Sequence, residues 1–382
     1  MVYFPFFSHK QNRGGKAALV LAANWHLEYR TLRCTARCFD RTYVLGTWDA
    51  RPLGRSIACK AFYLLPSPSS AFSAEHVVLI NHLCASLDID CVLPSDAETT
   101  ALISAHKDQI EATCYPVPKA SDFDLLNNKR SFVELCRMLQ VPIPPTCVLT
   151  SKDELEKLID AGEFGLPIVI KPMNREGSIG VHILLEDADR QAISAVDYEP
   201  VMVQKYIEGD DLCAFYFCEN GKIVTETIYY PGPHALKFIE HFGVREECSK
   251  IIKHFHYHGI VGFDLRTDSA GRIFFLECNP RFWRNMDMAM LAGMNPVEVG
   301  LRALASKDDV GNMLAGRSVP TAAGLLRVDP LSSIASRERR MLVAYYLVDL
   351  PMFLHKSHAK LSAWLVKLVT RLGARSTTAA SC

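Results

Sequence analysis

The chain contains 382 residues, of which 49% are hydrophobic and 22% are charged. This length and composition predict a soluble globular protein of two or three packed units and exclude wholesale disorder. The 42 Lys and Arg residues balance the 42 Asp and Glu residues, which argues against a whole-chain binder of nucleic acid. The function is therefore expected in local sites.

Thirteen cysteines are spread singly through hydrophobic segments, for example at Cys91, Cys136 and Cys278. A secreted scaffold would carry a denser disulfide framework, so we predict reduced thiols and a cytoplasmic location. No stretch approaches the roughly 20 apolar residues that span a bilayer. The first twelve residues also lack the long apolar core of a signal peptide.

Residues 1–118 are predicted to form a small α/β domain. Short apolar runs bounded by polar or turn residues indicate buried strands, and longer segments between them have helical spacing. Strands that alternate with helices favour a mostly parallel sheet. The predicted strands are Ala17–Ala22, Thr42–Leu45, Ala61–Leu65, Cys91–Leu93 and Cys114–Pro116, and the predicted helices are Phe72–Ser86 and Glu98–Glu111.

The turn after the first predicted strand argues against a dinucleotide-binding domain. That strand leads into Ala22-Ala23-Asn24-Trp25-His26. A dinucleotide site needs glycines at this turn, because they let backbone amides approach the pyrophosphate. The hypothesis that the protein is a dehydrogenase therefore lacks its main sequence evidence.

Residues 119–330 are predicted to form a second domain of α+β type. Its first helix, Leu125–Leu139, is followed by prolines at positions 142, 144 and 145, which cannot continue a helix. Strand pairs around short turns favour antiparallel sheets. The other predicted strands are Ile168–Lys171, Val181–Leu185, Val201–Tyr206, Ala214–Cys218, Lys222–Tyr229, Val261–Arg266 and Arg272–Asn279, and the other helices are Lys152–Ala161, Asp187–Val196 and Arg245–Tyr257.

Residues 331–382 are predicted to be a basic, partly amphipathic helical tail. Apolar side chains recur at helical spacing between Leu361 and Leu372 among several cations, so Lys360–Arg375 is predicted to be a basic amphipathic helix. Such a helix packs on its own core, binds a partner or lies on an anionic membrane surface. The sequence leaves these alternatives open.

Two carboxylates and an amide converge in the last predicted hairpin. Strand side chains alternate between faces, so Glu277 and Asn279 share one face while Leu276 and Cys278 take the other. A symmetric hairpin places Asp264 opposite Glu277, where like charges repel unless a cation lies between them. Such oxygen ligands suit Mg²⁺ bound with nucleotide phosphates. The alternative is an exposed ion network with the nearby arginines Arg266, Arg281 and Arg284.

A lysine and a glycine-rich loop predict a phosphate-binding segment. The strand Ile168–Lys171 ends in lysine, and Gly177-Ser178-Ile179-Gly180-Val181 leads into the next strand. The lysine can neutralise phosphate, and the glycines let consecutive N–H groups point at phosphate oxygens. The segment lacks the Gly-Lys-Ser/Thr of a Walker loop. The alternative is a plain hairpin turn beside a lysine that extends to solvent.

The order of these segments resembles the ATP-grasp superfamily over about residues 119–300, and the preceding domain resembles the pre-ATP-grasp domain usual there. Several motifs in the right order are more specific than any one of them. The segments that carry the resemblance are Asn128-Lys129, Val169-Ile170-Lys171-Pro172, the loop of residues 177–181, Gln204-Lys205-Tyr206-Ile207-Glu208-Gly209, Gly262-Phe263-Asp264-Leu265-Arg266 and Leu276-Glu277-Cys278-Asn279-Pro280-Arg281-Phe282-Trp283.

The resemblance implies a role for four residues around the nucleotide phosphates. Lys129 and Lys171 would contact the phosphates, and Ser178 would cap them from the glycine loop. Arg281 would stabilise the charge on the transferring phosphoryl group. Lys171 and Arg281 are therefore the catalytic candidates.

The resemblance also implies a nucleoside pocket and a metal site. The main chain of Lys205 and Ile207 would hold adenine beside Gln204, and Asp211 would bind the ribose. The implied ligands of two Mg²⁺ ions, or of Mn²⁺, are Asp264, Glu277 and Asn279.

The activity that the resemblance implies is an Mg·ATP-dependent ligase that joins a carboxylate to an amine through an acylphosphate and releases ADP. Its partners would be small-molecule substrates rather than nucleic acid. The sequence leaves open whether the protein forms a homodimer. The rivals are a kinase, a thiol ligase or a carboxylase with the same nucleotide site, and a scaffold that binds ATP without turnover.

Two positions depart from the usual pattern of the superfamily. Asn128 stands where Asp is common, and Asn can still form the local hydrogen bond. Arg284-Asn285 stands where Gly or Ser is common, and we expect it to mark the substrate pocket together with Arg266 and the first domain. We also expect a lid, formed by the Gly177–Gly180 loop or by a mobile segment Tyr230–Phe242.

Overall fold

The fold was obtained as a computed structural model that describes residues 15–66, 71–162, 164–173, 175, 179–305, 314–321 and 337–356. Three sequence predictions lie wholly or partly outside these residues: the phosphate cap at Ser178, the lid at the Gly177–Gly180 loop and the amphipathic helix Lys360–Arg375. Within the described ranges, no helix combines the length and apolar character needed to cross a bilayer. The twelve cysteines in the same ranges are free thiols.

A five-stranded parallel sheet opens the chain, as the sequence predicts. The strand order is β3-β2-β1-β4-β5, and every residue of the central strand β1 is buried. Because β2 and β4 flank β1 on opposite sides, the carboxyl end of β1 lies at a switch in strand order, where open α/β sheets form a crevice. The elements are β1 (Ala17–Ala22), α1 (Glu28–Thr35), β2 (Arg41–Gly46), β3 (Ala61–Leu64), α2 (His76–Leu87), β4 (Cys91–Leu93), α3 (Ala97–His106) and β5 (Thr113–Cys114), with 3₁₀ helices at Trp48–Arg55 and Lys107–Gln109.

The single helix predicted over Leu125–Leu139 is wrong, because two helices occupy this region. Helix α4 covers Ala120–Asn127 and α5 covers Lys129–Met138. Asn128 has extended backbone between them, and its side-chain oxygen accepts from the amides of Arg130 at 3.0 Å and Ser131 at 3.2 Å. This cap starts a new helix and fixes Lys129 at its first position.

A four-stranded antiparallel sheet follows, with the order β6-β9-β7-β8. Its strands are β6 (Thr146–Leu149), β7 (Ile168–Pro172), β8 (His182–Leu184) and β9 (Val201–Lys205), and α6 (Lys152–Asp160) covers it. The α-helix predicted over Asp187–Val196 is instead a 3₁₀ helix, Asp187–Ala195. The sheet and these helices share a core that includes Leu155, Ile170 and Val203.

A six-stranded antiparallel sheet carries the predicted hairpin, in the order β14-β13-β10-β11-β12-β15. The segment Tyr230–Phe242 is predicted to be mobile, but five of its thirteen residues form β12, which pairs with β11, and its first two residues belong to β11 itself. The strands are β10 (Gly209–Glu219), β11 (Lys222–Pro231), β12 (Ala235–Ile239), β13 (Gly259–Asp268), β14 (Ile273–Asn279) and β15 (Ser318–Pro320), and α7 spans Phe242–His254.

Three further helices close the structure: α8 (Met286–Ala292), α9 (Pro296–Leu304) and α10 (Arg337–Val348). One hydrophobic cluster joins Val20 of the parallel sheet to Phe215 of β10, Met286 of α8 and Leu342 of α10. The N-terminal sheet, the last antiparallel sheet and the described part of the tail therefore share a single core.

Candidate active site

The hairpin of β13 and β14 pairs Asp264 with Glu277 and Gly262 with Asn279, as its symmetric form predicts. A bulge then lets Leu265 pair with Phe275, which leaves one extra residue in β14. As a result Phe275, and not Leu276, enters the same core as Cys278. The expectation that Leu276 and Cys278 share a face is therefore wrong, although the polar side chains do converge.

The three polar side chains of the hairpin contact one another directly. The Asn279 amide nitrogen lies 3.0 Å from an oxygen of Asp264 and 3.4 Å from an oxygen of Glu277. On the neighbouring strand Cys213 pairs with Asp264 and makes a side-chain contact with it. Two carboxylates and an amide are thus held at one point on the sheet.

Both predicted lysines approach these carboxylates. Lys129 Nζ lies 3.5 Å from Glu277 Oε2 and 2.9 Å from the Arg175 carbonyl. Lys171 is buried, and its Nζ donates to the Leu276 carbonyl at 3.1 Å. A helix start and a strand end thereby bring two ammonium groups from different parts of the chain to the hairpin.

The charges at this point shift one another's protonation. Burial raises the pKa of Asp264, and Glu277 across the ladder raises it further. Burial alone would raise the pKa of Glu277, but Lys129 and Lys171 lower it below its ordinary value. Burial lowers the pKa of Lys171 to about 8, against the opposing effect of Glu277. The protein gathers charge here at a cost in solvation, which is typical of functional sites.

A cavity of about 300 Å³ opens beside this cluster. Its walls come from the helix pair α4 and α5, the segment after β7, and the end of β14. The polar residues on the walls include Asp124, Asn128, Lys129, Arg175 and Glu277. A ligand in this cavity would meet the charged groups at the junction of the two antiparallel sheets.

Two family models match this part of the chain. A RimK-like ATP-grasp domain matches residues 125–224, and a model described as an ATP-grasp in the biosynthetic pathway with Ter operon matches residues 197–323. Together the matches span residues 125–323, which include Lys129, Lys171 and the three polar side chains of the hairpin. The chain belongs to the ATP-grasp superfamily.

Several solved structures have a similar fold. An L-amino acid ligase from Bacillus licheniformis has a TM-score of 0.61 and 15% identity, over 79% of this chain and 78% of that one. A carboxyaminoimidazole ribonucleotide synthase from Aspergillus clavatus, complexed with ATP, has a TM-score of 0.61 and 15% identity over 80% of each chain. The biotin carboxylase domain of a Hydrogenobacter thermophilus 2-oxoglutarate carboxylase, in complex with MgADP, has a TM-score of 0.57 and 16% identity, over 77% and 71%.

The residues expected at adenine and ribose lie on the neighbouring strands of this ATP-grasp fold. Gln204 is buried, and its amide donates to Thr146 Oγ1 at 2.9 Å. Lys205 N–H donates to the Pro145 carbonyl at 2.9 Å. Ile207 lies between the ends of β9 and β10. None of Gln204, Lys205 and Ile207 is among the residues that line the cavity of about 300 Å³.

Asp211 and Arg281 have partners of their own. Asp211 is exposed on β10 and lies 3.4 Å from Arg266 Nη1, its partner on β13. It stands two residues before Cys213, the partner of Asp264, so it is close to the hairpin cluster. Arg281 donates to the Phe282 carbonyl at 3.1 Å just after the strand that carries Glu277.

Sequence reasoning missed two residues of the site. Arg175 lines the cavity, accepts from Lys129 through its carbonyl and forms an ion pair with Asp197 at 2.7 Å. Its position three residues after β7, inside the predicted phosphate segment, could have identified Arg175 as a site residue from the sequence. Cys213 contacts Asp264, and only the strand pairing of β10 with β13 reveals that contact.

The side chains of the hairpin suit a hard cation that shares its ligands with a nucleotide. The described ranges hold no cluster of three or more His, Cys, Asp or Glu side chains suited to a metal ion. Asp264, Glu277 and Asn279 supply two carboxylates and an amide, whose oxygen reaches the same point when the amide is turned over. Mg²⁺ commonly takes one or two carboxylates and completes its shell with water and phosphates.

Proposed function

We propose that this protein is an Mg·ATP-dependent ligase that joins a carboxylate to an amine and forms ADP. The observation that carries the proposal is the convergence of Lys129, Lys171, Asp264, Glu277 and Asn279 beside one cavity. Few arrangements other than a nucleotide-phosphate site gather two lysines and two carboxylates at one partly buried point. The similar fold of an L-amino acid ligase agrees with this reaction class.

In this proposal each part of the site has one task. Lys129 and Lys171 neutralise the phosphates, and Asp264, Glu277 and Asn279 hold Mg²⁺ or Mn²⁺. The bound ion would supply positive charge that neutralises the phosphates. Gln204, Lys205 and Ile207 hold adenine and Asp211 holds the ribose. Ser178 caps the nucleotide phosphates, and Arg281 stabilises the charge on the phosphoryl group that moves.

The reaction proceeds in two transfers. A carboxylate oxygen of the first substrate attacks the γ-phosphorus, and the bond to the bridging oxygen breaks to release ADP. The amine then attacks the acyl carbon, inorganic phosphate leaves with the bonding electrons, and the amine loses one proton. Positioning and electrostatic stabilisation provide most of the rate in such transfers, so no Ser, Cys or His nucleophile is required.

Two other classes use the same nucleotide site. A carboxylase is favoured by one specific observation, since the 2-oxoglutarate carboxylase domain of similar fold was solved with bicarbonate. A scaffold that binds ATP without turnover is disfavoured by the complete set of Asp264, Glu277, Asn279 and Arg281 in this chain.

The test is ADP release measured against a panel of carboxylates, amines and bicarbonate. ADP that forms only when an acid and an amine are both present supports the ligase. ADP that forms with bicarbonate and an amine but with no other acid supports the carboxylase. Binding of Mg·ATP without ADP release under any of these conditions supports the scaffold.

A further inference from the structure

Basic side chains gather at the carboxyl end of β1, where the strand order switches. The loop after β1 carries Trp25 and His26, whose ring centroids lie 4.0 Å apart. Arg30, on the first turn of α1, donates to the His26 carbonyl. This end of an open α/β sheet is the usual place for a ligand.

His355 and Lys356, at the end of the described tail, lie against this loop and against α1. The His355 ring centroid lies 5.0 Å from that of Trp25, and its Nδ1 accepts from Arg55 at 3.0 Å. Lys356 Nζ lies 3.9 Å from the centroid of the Tyr29 ring. Residues more than 300 positions apart in the sequence therefore lie together around the loop after β1, and we call this surface the rim.

Arg284 brings the ATP-grasp domain to this rim. It lies two residues before α8, and the Met286 sulfur at the start of α8 accepts from the Thr31 hydroxyl of α1 at 3.4 Å. Arg30 lies 3.7 Å from Asp287, the next residue of α8. Arg30 and Arg284 therefore flank the contact between the two helices.

The two arginines differ in their partners. Arg30 faces Asp287, whereas Arg284 forms no hydrogen bond or ion pair with the described part of the chain. Burial lowers the pKa of Arg284, and the charge of Arg30 lowers it further. Burial also lowers the pKa of His26, and Arg284, Arg30, Lys356 and His355 add to that effect. Of Arg284, Arg30 and His26, only Arg30 is paired with an acid in the described ranges, so an anion would stabilise the group.

A short path of contacts leads from Arg284 to the phosphoryl-transfer site. The next residue, Asn285, donates to the Tyr229 hydroxyl at 3.3 Å. Cys213 contacts both Tyr229 and Asp264. Arg284 therefore lies within a short chain of side-chain contacts of Asp264.

We propose that Arg284, Arg30 and His26 form a subsite for an anionic group, a carboxylate or a phosphate, of the small-molecule substrate. This inference rests on the proposed function, because it assigns the group to a substrate of that reaction. The anchored group is distinct from the carboxylate that receives the phosphoryl group. The substrate class is accordingly a dicarboxylic acid or a phosphorylated acid or amine. Arginine suits this task because its planar guanidinium binds carboxylate and phosphate in a bidentate manner.

The test is calorimetric titration of the full chain with inorganic phosphate and, separately, with malonate. The protein is first saturated with Mg·ADP, so that the lysines of the nucleotide site are occupied. Arg284→Gln is compared with Arg284→Lys and with the control Arg190→Gln. Arg190 lies in the 3₁₀ helix Asp187–Ala195, and its solvent-accessible side chain pairs with Asp160 and Asp187, so its loss changes the net charge equally.

We expect the wild type to bind one of the two probes. Arg284→Gln should bind that probe at least about tenfold more weakly, as expected for the loss of a charged hydrogen bond. The affinity of Arg284→Lys should lie between those of the other two proteins. Arg190→Gln should bind as the wild type does. Preference for phosphate or malonate identifies the source of the anionic group. Binding of neither probe, equal binding by Arg284→Gln, or an equal loss in Arg190→Gln overturns the subsite.

Failure of the subsite and failure of the proposed function give different results. If the wild type does not bind Mg·ADP, the proposed function falls, and the anion titrations without nucleotide still decide the subsite. If Mg·ADP binds equally to the wild type and to Arg284→Gln while the anion response is unchanged, only the subsite falls. Matching far-ultraviolet circular dichroism of the variants shows that folding is intact.

Discussion

Two charged clusters in this molecule have opposite designs. Asp349, just beyond α10, is fully buried, and one oxygen accepts from Tyr29 at 3.0 Å, from Arg33 at 3.1 Å and from Ser56. Its other oxygen accepts from the Ile57 amide at 3.2 Å. The charge is thus fully satisfied within the protein.

The cluster of Asp264 and Glu277 is arranged differently. Its carboxylates lie together, its two lysines repel each other, and it opens onto a cavity. A buried charge whose hydrogen bonds and counterion all come from the protein joins distant parts of the chain. A cluster whose charges are only partly balanced by the protein is available to a ligand. Each prediction below tests one side of this contrast.

The largest effect is expected for Asp349→Asn. Removal of the carboxylate charge leaves Arg33 buried without its counterion, which should cost about 3–5 kcal/mol of unfolding free energy. Urea denaturation measures the change. Asp160→Asn, at an exposed ion pair, is the matched control and should leave the unfolding midpoint in place. A change no larger than that of the control would show that the tail is not held by this network.

Glu277→Gln should abolish ADP formation. Loss of one charged ligand beside the phosphates should reduce turnover by at least about 100-fold, as removal of a preorganised charged group does. The unfolding free energy should change by only about 1 kcal/mol or less, because the side chain is partly exposed. Unchanged turnover would contradict the proposed metal site.

Glu226→Gln is the matched control for that variant. Glu226 lies on β11 of the same sheet and pairs with Arg245 at 3.6 Å, away from the lysines. It should keep the turnover of the wild type. A loss as large as that of Glu277→Gln would mean that any carboxylate of this sheet supports the reaction.

Glu28 offers a third case, a buried carboxylate with one oxygen lacking a hydrogen-bond partner in the described structure. Burial raises its pKa from 4.5 to about 8, and Asp96 adds to the shift. Between these values the unfolded chain has released the proton that the folded chain keeps. Stability should therefore fall as the pH rises through this window, by up to about 1.4 kcal/mol per unit.

Glu28→Gln should remove that fall, because glutamine has no proton to release. Urea denaturation at several pH values between 5 and 8 should show that the unfolding free energy of the variant rises relative to that of the wild type as the pH rises. Glu75→Gln, at an exposed position before α2, should follow the wild type. Parallel profiles for the wild type and Glu28→Gln would disprove the shift.

The smallest effect is expected at the surface pair of Arg190 and Asp160. Arg190→Gln removes a pair whose side chains are both exposed, so solvent already screens the attraction. The unfolding midpoint should stay within experimental error of the wild type. A clear loss would mean that exposed charges matter as much as the saturated cluster, and the contrast would weaken.

The sequence predicts local pairings in the site but not its bulge. Alternation along β13 and β14 around a short turn is enough to place Asp264 opposite Glu277. The extra residue at Leu276 depends on how Phe275 fits the core, which no short pattern records. Helical spacing likewise predicts one helix where the Asn128 cap makes two.

Contacts between distant parts of the chain lay beyond sequence reasoning. Basic residues mark the tail, but nothing local connects Asp349 with Arg33, which lie 316 positions apart. The same holds for Arg284 and Arg30, which meet only because α8 packs on α1. Motif order could predict that the two lysines and the hairpin carboxylates belong to one proposed site, because these motifs occur in a known order, whereas the junctions depend on packing.

The most direct test of the central claim is calorimetric titration of ADP with and without Mg²⁺, on the wild type and on Asp264→Asn. The account predicts that Mg²⁺ strengthens ADP binding to the wild type at least about tenfold and that Asp264→Asn removes most of this gain, since the carboxylate helps to hold the ion. An equal gain in both proteins, or no binding of ADP to the wild type, would contradict it.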